Sequence, residues 1–218
     1  SVPANAADKA ETGRTDERTC PQDSTCPIWP FADAVPSAWY HDGVHYCVES
    51  GLMRGVSAAE FLPDAGTTRA QLVTILWRME GSPEAAGSQR FTDVPGSAWY
   101  AGAVRWAADS GVIKGYDDGR FGSDDALTRE QMVTILYRYA QYKSYDVSIS
   151  GDTNILSFTD APAVSGYAVS AMQWGCGAGL VNGIAQNGGM ILAPADTTTR
   201  AQIATLVMRF ERAFAKEA

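Results

Sequence analysis

The stretch "TTRAQLVTILWRM" (residues 67–79) predicts the start of a helix and places an unexpected charge there. Thr68 and Gln71 are three residues apart and precede an apolar stripe, which is the spacing of an N-terminal capping box. Arg69 is then the first helical residue, where its cation faces the positive end of the helix dipole at a cost of up to about 1 kcal/mol. Helix formation alone therefore does not explain Arg69.

The chain makes the same choice twice more. Arg129 has the corresponding place in "LTREQMVTILYRY", and Arg200 has it in "TTRAQIATLVMRF". Ahead of each arginine helix lies a second repeated stretch, which begins "FADAVPSAWY" at Phe31, "FTDVPGSAWY" at Phe91 and "FTDAPAVSGY" at Phe158. Internal repetition of this kind predicts three copies of one supersecondary unit that share a core.

Each unit has the same order of features. An aromatic-x-Asp turn is followed by a first helix, and we expect its N-terminal cap to be a serine: Ser37, Ser97 and Ser165. We expect that helix to end at a left-handed glycine: Gly51, Gly111 and Gly179. A glycine-containing loop and the arginine-led second helix complete the unit. The third unit has Gly166 in place of the tryptophan and carries extra residues, "AQNGGMILAPADT", before its arginine helix.

These units predict an all-α fold of about six main helices with little strand. One unit of about 50 residues buries too little surface to be stable alone, so the units either stack in a line or close into a pseudo-threefold bundle. We favour the closed bundle. The predicted boundaries are an N-terminal, cysteine-containing arm (1–30) and three repeats (31–80, 91–140 and 158–212) that form one composite domain (31–212).

Composition argues against several classes of protein. A net charge of −8 disfavours nucleic-acid binding, which needs a basic surface. No apolar run approaches the ~18 residues of a membrane-spanning helix, so membrane insertion is not expected. The polar opening "SVPANAADKAETGRTDERT" suits a mature chain whose targeting segment is missing. Neither G-x-S-x-G nor H-E-x-x-H occurs, which favours a binding protein over an enzyme, and we expect no cofactor.

The cysteines and histidines do not match a common zinc motif. Five residues separate Cys20 from Cys26, and His41 and His45 lie four apart on the predicted first helix. We expect the histidines on a solvated helix face and no bound metal. The pairing of the four cysteines, Cys20, Cys26, Cys47 and Cys176, stays open. An N-terminal arm tied by disulfides fits an exported protein, and reduced, buried thiols at Cys47 and Cys176 are the alternative.

The F-x-D turn, the W-Y pair, the glycine-ended helix, the glycine loop and the T-R-A-Q helix together resemble the S-layer homology domain, over roughly residues 31–212. The resemblance implies a monomeric chain whose three repeats form a pseudo-trimer around a central three-helix bundle. It implies non-covalent anchoring at the bacterial cell surface. The implied partner is an anionic secondary cell-wall polysaccharide, attached to peptidoglycan, with a terminal N-acetylmannosamine that carries a pyruvate ketal.

The resemblance also implies which residues line the grooves between repeats. The cations are Arg69, Arg129 and Arg200, and the acidic turn residues are Asp33, Asp93 and Asp160. The aromatic walls are Trp39, Trp99 and, in the divergent third unit, Tyr167. The loop glycines, which we expect to have positive φ, are Gly55, Gly115 and Gly183. The residues alone leave a core position open for the two tryptophans.

Two explanations of the arginines stay open, and the resemblance favours arginines that serve in both ways. One is a salt bridge to the aspartate of the same unit, in a module that mediates only structural or protein–protein assembly. The other is a carboxylate clamp, in which the guanidinium and the free N–H groups of the helix start attract an anion. Glu130 lies one place earlier than the glutamate of the family motif, and we expect Arg200, in the divergent unit, to bind most weakly.

Overall fold

The computed structural model of the chain describes residues 20–149 and 154–214. Its helices are α1 (His41–Glu49), α2 (Arg69–Met79), α3 (Ala101–Asp109), α4 (Arg129–Tyr142), α5 (Val169–Gly177) and α6 (Arg200–Phe214). Two 3-10 turns (Ala161–Ala163 and Gly166–Ala168) precede α5, and two short strands, β1 (Ile184–Gln186) and β2 (Gly189–Ile191), precede α6. The prediction of a mainly helical chain is confirmed. In the described residues, no helix combines the length and the hydrophobicity needed to cross a membrane.

The second helix of each unit begins at its arginine, as predicted. The Thr68 hydroxyl accepts the Gln71 N–H (3.4 Å), and the Gln71 side-chain oxygen accepts the Thr68 N–H (3.1 Å). The same pair of bonds joins Thr128 to Gln131 and Thr199 to Gln202. Because a glutamine completes each capping box, the absence of the motif glutamate at this position leaves the caps intact.

The first helix of each unit begins later than the sequence suggests. α1 and α3 start after Tyr40 and Tyr100, which make no side-chain cap hydrogen bond. The prediction of serine caps at Ser37 and Ser97 is therefore wrong, because a turn separates each serine from its helix. Ser165 caps no helix with its side chain, and its hydroxyl instead binds a carboxylate of the second unit.

The predicted glycine endings are confirmed. Gly51, Gly111 and Gly179 follow the first helices with φ of 69°, 75° and 68°. These left-handed residues turn the chain into the loop that crosses to the second helix.

The extra residues of the third unit form a small hairpin. β1 pairs antiparallel with β2, with Ile184 opposite Ile191. The turn residues Asn187 and Gly188 both have positive φ (49° and 79°), as a type I′ turn requires. The hairpin is followed directly by Leu192, whose carbonyl accepts a hydrogen bond from Arg129 of the second unit.

The helices pack mainly between units. The first helix of each unit lies against the second helix of another unit: α3 against α2, α5 against α4 and α1 against α6. Because the α1–α6 contact joins the first unit to the third, the contacts form a closed cycle. Each unit therefore contacts both of the others.

The residues before the second helices close the same cycle through the main chain. The Thr67 N–H donates to the Thr198 carbonyl (2.9 Å), the Leu127 N–H to the Thr67 carbonyl (2.8 Å), and the Thr198 N–H to the Leu127 carbonyl (2.9 Å). Thr198 is fully buried, and its hydroxyl adds a second bond to the Leu127 carbonyl (2.7 Å). Three distant parts of the sequence are thus bonded to one another at one place.

An aromatic cluster fills the core toward the C-terminal ends of α4 and α6. Phe210 packs against Tyr139 and Trp174, with ring centroids 5.5 and 6.4 Å apart. The Tyr139 hydroxyl donates to Glu80, just after α2 (2.6 Å), and Lys143 pairs with the same carboxylate (2.8 Å). The three second helices therefore also meet at their C-terminal ends.

Candidate functional site

The three aspartates of the F-x-D turns hold loops of their own units. Each carboxylate accepts two consecutive main-chain N–H groups. The sets are Asp33 with Phe61 and Leu62, Asp93 with Phe121 and Gly122, and Asp160 with Leu192 and Ala193, at 2.7–2.8 Å. Burial opposes the ionisation of Asp93, but the N–H donors outweigh it and lower the pKa of that carboxyl below its ordinary value.

The repeated arginines bind these same loops from a neighbouring unit. Each Nε–H donates to the carbonyl of a residue whose N–H an aspartate holds: Arg69 to Phe121 (2.9 Å), Arg129 to Leu192 (2.8 Å) and Arg200 to Phe61 (2.8 Å). Each Nη2 reaches a second carbonyl of that loop: Lys114 (3.4 Å), Asn182 (3.5 Å) and Arg54 (2.7 Å). One loop residue thus links an aspartate of one unit to an arginine of another.

This geometry corrects the salt-bridge interpretation. In residues 20–149 and 154–214, none of the three arginines forms an ion pair with an aspartate. The aspartate of the same unit is occupied by main-chain donors, and the arginine extends to a different unit. Arginine and aspartate recur together because both hold the same kind of loop residue from opposite sides.

The expectation of free N–H groups at the helix starts is also wrong. The Arg69 N–H donates to the Asp125 carbonyl and the Ala70 N–H to the Ser123 carbonyl, both at 3.2 Å. The corresponding N–H groups of α4 and α6 bind carbonyls in the same way. These donors therefore stabilise the interface between units and are not available to an anion.

The three arginines differ in their accessibility. Arg69 and Arg200 are only 6% and 8% exposed, and their guanidinium groups lie over the rings of Phe121 (5.0 Å) and Phe61 (4.5 Å). The third unit has Leu192 at this loop position, and Arg129 remains half-buried. Burial lowers the pKa of Arg129 and Arg200, although arginine stays charged at physiological pH. Arg129 is the most accessible of the three cations.

The loop glycines serve close packing. Gly55, Gly115 and Gly183 all lie outside the left-handed region, so the prediction of positive φ is wrong. A Cβ at any of them would overlap the phenylalanine that opens the same unit: Phe31, Phe91 and Phe158. Glycine is needed because the ring lies directly on the loop main chain.

One groove combines residues from all three units. It is lined by Trp39 of the first unit, by Arg129 of the second, and by Asn182, Gln202 and Arg209 of the third. Its volume of about 180 Å³ is below the roughly 300–1,000 Å³ of clefts for drug-sized ligands, so it is a small cleft. Two guanidinium groups, two amides and an indole can recognise a carboxylate, hydroxyl groups and an apolar ring face.

The predicted aromatic walls are exposed. Trp39, Trp99 and Tyr167 are 65%, 62% and 56% exposed, so a core position for the tryptophans is wrong. Each tryptophan is packed edge-on against the tyrosine that follows it, with ring centroids 5.5 Å (Trp39) and 5.1 Å (Trp99) apart. This contact orients the indole while most of its surface stays accessible.

Tyr167 lies in a different environment, within electrostatic range of Arg69. Its hydroxyl donates to Glu130 (2.9 Å), whose buried carboxylate also accepts the N–H (2.9 Å) and hydroxyl (2.7 Å) of Ser165. Burial and the bond to Glu130 raise the pKa of Tyr167 to about 12. No acidic residue of the described chain lines the Arg129 groove, although Asp196 and Asp160 interact electrostatically with Arg129.

Sequence reasoning did not select Asn182, Gln202 or Arg209. A signal for Arg209 was present, because Arg78, Arg138 and Arg209 each follow their helix-starting arginine by nine residues. Gln202 and Arg209 are seven residues apart and therefore lie on one face of α6. No comparable repetition marks Asn182, since Arg54 and Lys114 have its position in the other loops.

The N-terminal arm brings together four residues that the sequence analysis kept apart. Cys20, Cys26, His41 and His45 have their possible ligand atoms within 4.8 Å of one another. His41 is only 4% exposed, so the prediction of a solvated histidine face is wrong there.

The four cysteines of the chain, Cys20, Cys26, Cys47 and Cys176, are all free thiols. Burial raises the pKa of Cys47 to about 12, so that thiol is unreactive.

Comparison with known proteins agrees with the repeat structure. The model of the S-layer homology domain matches residues 30–73, 90–133 and 157–204, one match for each of the three predicted repeats. The chain is 28% identical over 174 residues to the exoglucanase XynX of Acetivibrio thermocellus, covering 79% of this chain and 15% of that protein. It is 27% identical over 173 residues to the surface-layer 125 kDa protein of Lysinibacillus sphaericus, covering 79% and 14%.

A cellulosome-anchoring protein of Acetivibrio thermocellus is 27% identical over 93 residues, covering 41% of this chain and 21% of that protein. The chain thus spans only a small part of the length of these relatives. The S-layer homology domain is a non-catalytic, cell-wall-binding module of the cell surface. Since its three matches cover more than half of the sequence, the chain belongs to the S-layer homology domain family.

Proposed function

We propose that this chain anchors a protein to the cell wall by binding a pyruvylated secondary cell-wall polysaccharide in the groove at Arg129. Cell-surface anchoring is the function of the family. Our proposal adds the ligand, the pyruvylated polysaccharide, and its binding site, the groove at Arg129. The observation that carries it is the combination of a half-buried and an exposed arginine, Arg129 and Arg209, with the exposed Trp39 in one groove.

Each group in the groove has a chemical task in this proposal. Arg129 uses Nε and Nη2 to hold the neighbouring loop, which fixes the remaining edge of its guanidinium for a ligand carboxylate. Arg209 supplies a second cation, and Asn182 and Gln202 supply amides for sugar hydroxyls. The indole of Trp39 packs on the apolar face of the sugar ring. Recognition thus depends on residues from all three units.

We also propose that the units are related by a pseudo-threefold axis within one domain, residues 31–212. The closed cycle of helix contacts, the three mutual main-chain bonds and the three equivalent arginine contacts support this arrangement. Under this symmetry, each groove takes its arginine, its loop and its aromatic wall from three different units. Trp99 then belongs to the groove of Arg200, and Tyr167 to the groove of Arg69.

The pseudo-symmetry changes which groove we expect to be weakest. The third unit lacks the tryptophan, but under this symmetry its substitute, Tyr167, belongs to the groove of Arg69, with which it interacts electrostatically. The carboxylate of Glu130 binds that tyrosine and adds negative charge near the site. An anionic ligand is therefore bound least well at Arg69.

Cosedimentation with cell walls tests the proposal. Purified chain should sediment with walls that retain the pyruvylated polymer and not with walls from which the ketal has been removed. Arg209→Gln should weaken binding roughly tenfold or more, because a hydrogen bond to a charged group contributes about 1.5–3 kcal/mol. Trp39→Ala should also weaken binding, because it removes the apolar contact with the sugar ring. Arg120→Gln is the matched control, since Arg120 is exposed and pairs with Asp118 outside the groove.

Two results would overturn the proposal. Equal sedimentation with both kinds of wall would show that the pyruvate carboxylate is not recognised. Unchanged binding of Trp39→Ala and Arg209→Gln, with both variants folded, would show that the Arg129 groove is not the site. In that case an assembly role, with Arg69, Arg129 and Arg200 joining units of the chain, would account for the arginines.

A further inference from the structure

We propose that Cys20, Cys26, His41 and His45 form a zinc site that fastens the N-terminal arm to the first helix of the domain. The four side chains come from two parts of the chain: the cysteines from the arm before Phe31 and the histidines from α1. Nothing in the anchoring function requires them to meet.

The distances suit a tetrahedral metal ion. All four candidate donor atoms lie within 4.8 Å of one another, and Cys26 Sγ is 3.5 Å from His45 Nδ1. Around a zinc ion with bonds of about 2.0–2.3 Å, tetrahedral geometry places donors about 3.3–3.8 Å apart. Small side-chain rotations therefore bring the set to bonding distance without moving α1.

The local environment of His41 indicates a missing partner. Both ring nitrogens of His41 are buried, and neither has a hydrogen-bond partner among the described residues. A buried polar group without a partner is costly and rare in folded proteins. A metal ion bound to one of these nitrogens supplies that partner and explains why histidine is placed there.

Neighbouring groups orient the other ligands. His45 directs Nδ1 toward Cys26, and its opposite nitrogen, Nε2, lies 3.5 Å from the Glu49 carboxylate. This is the arrangement by which a carboxylate fixes the tautomer of a metal-bound histidine. On the arm, the Gln22 N–H points to Cys20 Sγ (3.4 Å), which stabilises a thiolate.

The donor set selects zinc among common metals. Two thiolates and two imidazoles in a tetrahedral arrangement are typical of structural zinc sites. The sequence reads C-x5-C-x14-H-x3-H, in which the histidine spacing is usual for zinc and only the interval between the cysteines is longer. Binding replaces the two thiol protons with the metal, so the arm would be held to α1 by coordinate bonds.

The test begins with the metal content of the full chain. Chain purified under reducing conditions and supplied with zinc should retain one zinc ion per molecule after removal of free metal. Cobalt in place of zinc should give thiolate-to-metal charge-transfer absorption and the visible bands of a tetrahedral site. Cys26→Ser and His45→Gln should lose the retained zinc and this spectrum. Cys176→Ser should keep both, because Cys176 lies outside the cluster.

Several outcomes would overturn the proposal. Failure of the reduced, folded chain to retain zinc would do so. A cobalt spectrum in His45→Gln identical to that of the parent chain would exclude the histidine ligand. Since Cys26 is buried, circular dichroism must show that its variant is folded, and the half-buried His45 provides the second, milder variant. A Cys20–Cys26 disulfide that persists in the native chain, with no zinc bound, would assign the pair to a redox crosslink.

Discussion

At the scale of the residue, Phe121 shows how this protein connects its units. Its N–H donates to Asp93 of the same unit, and its carbonyl accepts from Arg69 of another. Phe61 and Leu192 make the equivalent pair of bonds. The main chain of one loop residue is thus hydrogen-bonded to both the aspartate and the arginine. This shared partner explains why the two residues recur together without forming an ion pair.

Replacing Asp93 tests this connection. Asp93→Asn removes a charged acceptor for two N–H groups, so the free energy of unfolding at pH 7 should fall by about 1.5–3 kcal/mol. The pKa of Asp93 is lowered in the folded chain, so its stabilisation is present above the unfolded pKa of about 3.9 and is lost as pH falls through the folded value. The difference between variant and parent should therefore shrink below about pH 4.

Urea denaturation at a series of pH values measures both effects. Asp117→Asn is the control, because Asp117 is exposed on the same loop and should change stability little at any pH. A stability difference that persisted at low pH would show that the carboxylate charge is not what holds the loop.

At the scale of the element, each glycine loop is shaped by the phenylalanine that lies on it. Gly115→Ala should reduce the free energy of unfolding by about 1–3 kcal/mol, because the added methyl group overlaps Phe91 and the Arg120 carbonyl. Gly96→Ala is the matched control, since its Cβ would meet nothing within 4 Å and its φ is not left-handed. Thermal unfolding of both variants provides the comparison, and equal midpoints would contradict the packing role.

At the scale of the whole molecule, the units are bonded in a cycle, and this predicts cooperative unfolding. Every unit packs against both of the others, so loss of one removes contacts from the remaining two. We expect one calorimetric transition whose measured enthalpy equals the van't Hoff enthalpy. Thr198→Val, which removes a buried hydrogen bond to Leu127, should lower its midpoint without splitting it.

Thr92→Val, at an exposed position, is the control for that experiment and should leave the midpoint nearly unchanged. Two separate transitions in the parent chain would show that the units are independent, as in a linear stack. A split that appears only in Thr198→Val would identify the junction of Thr67, Leu127 and Thr198 as the source of cooperativity.

Local sequence patterns determined much of the fold. The capping boxes, the arginine helix starts and the glycine helix ends could be predicted because each depends on residues within one or two helical turns. The repetition of these patterns also determined the number of units and the family. The prediction of serine caps failed because an additional turn precedes α1 and α3, which begin only after Tyr40 and Tyr100. The spacing of residues in the sequence does not distinguish this turn from the helix that follows it.

Only the tertiary structure decided which residues of different units meet. Trp39 and Arg129 line one groove, and Cys20 lies beside His45, because the chain closes on itself and brings distant segments together. The repeat pattern does not predict which unit supplies the arginine, the loop or the aromatic residue of a shared groove. The sequence therefore determined the helices, turns and loops of each unit. Long-range packing determined which of them share a groove, because packing and hydrogen bonds join residues that are distant along the chain.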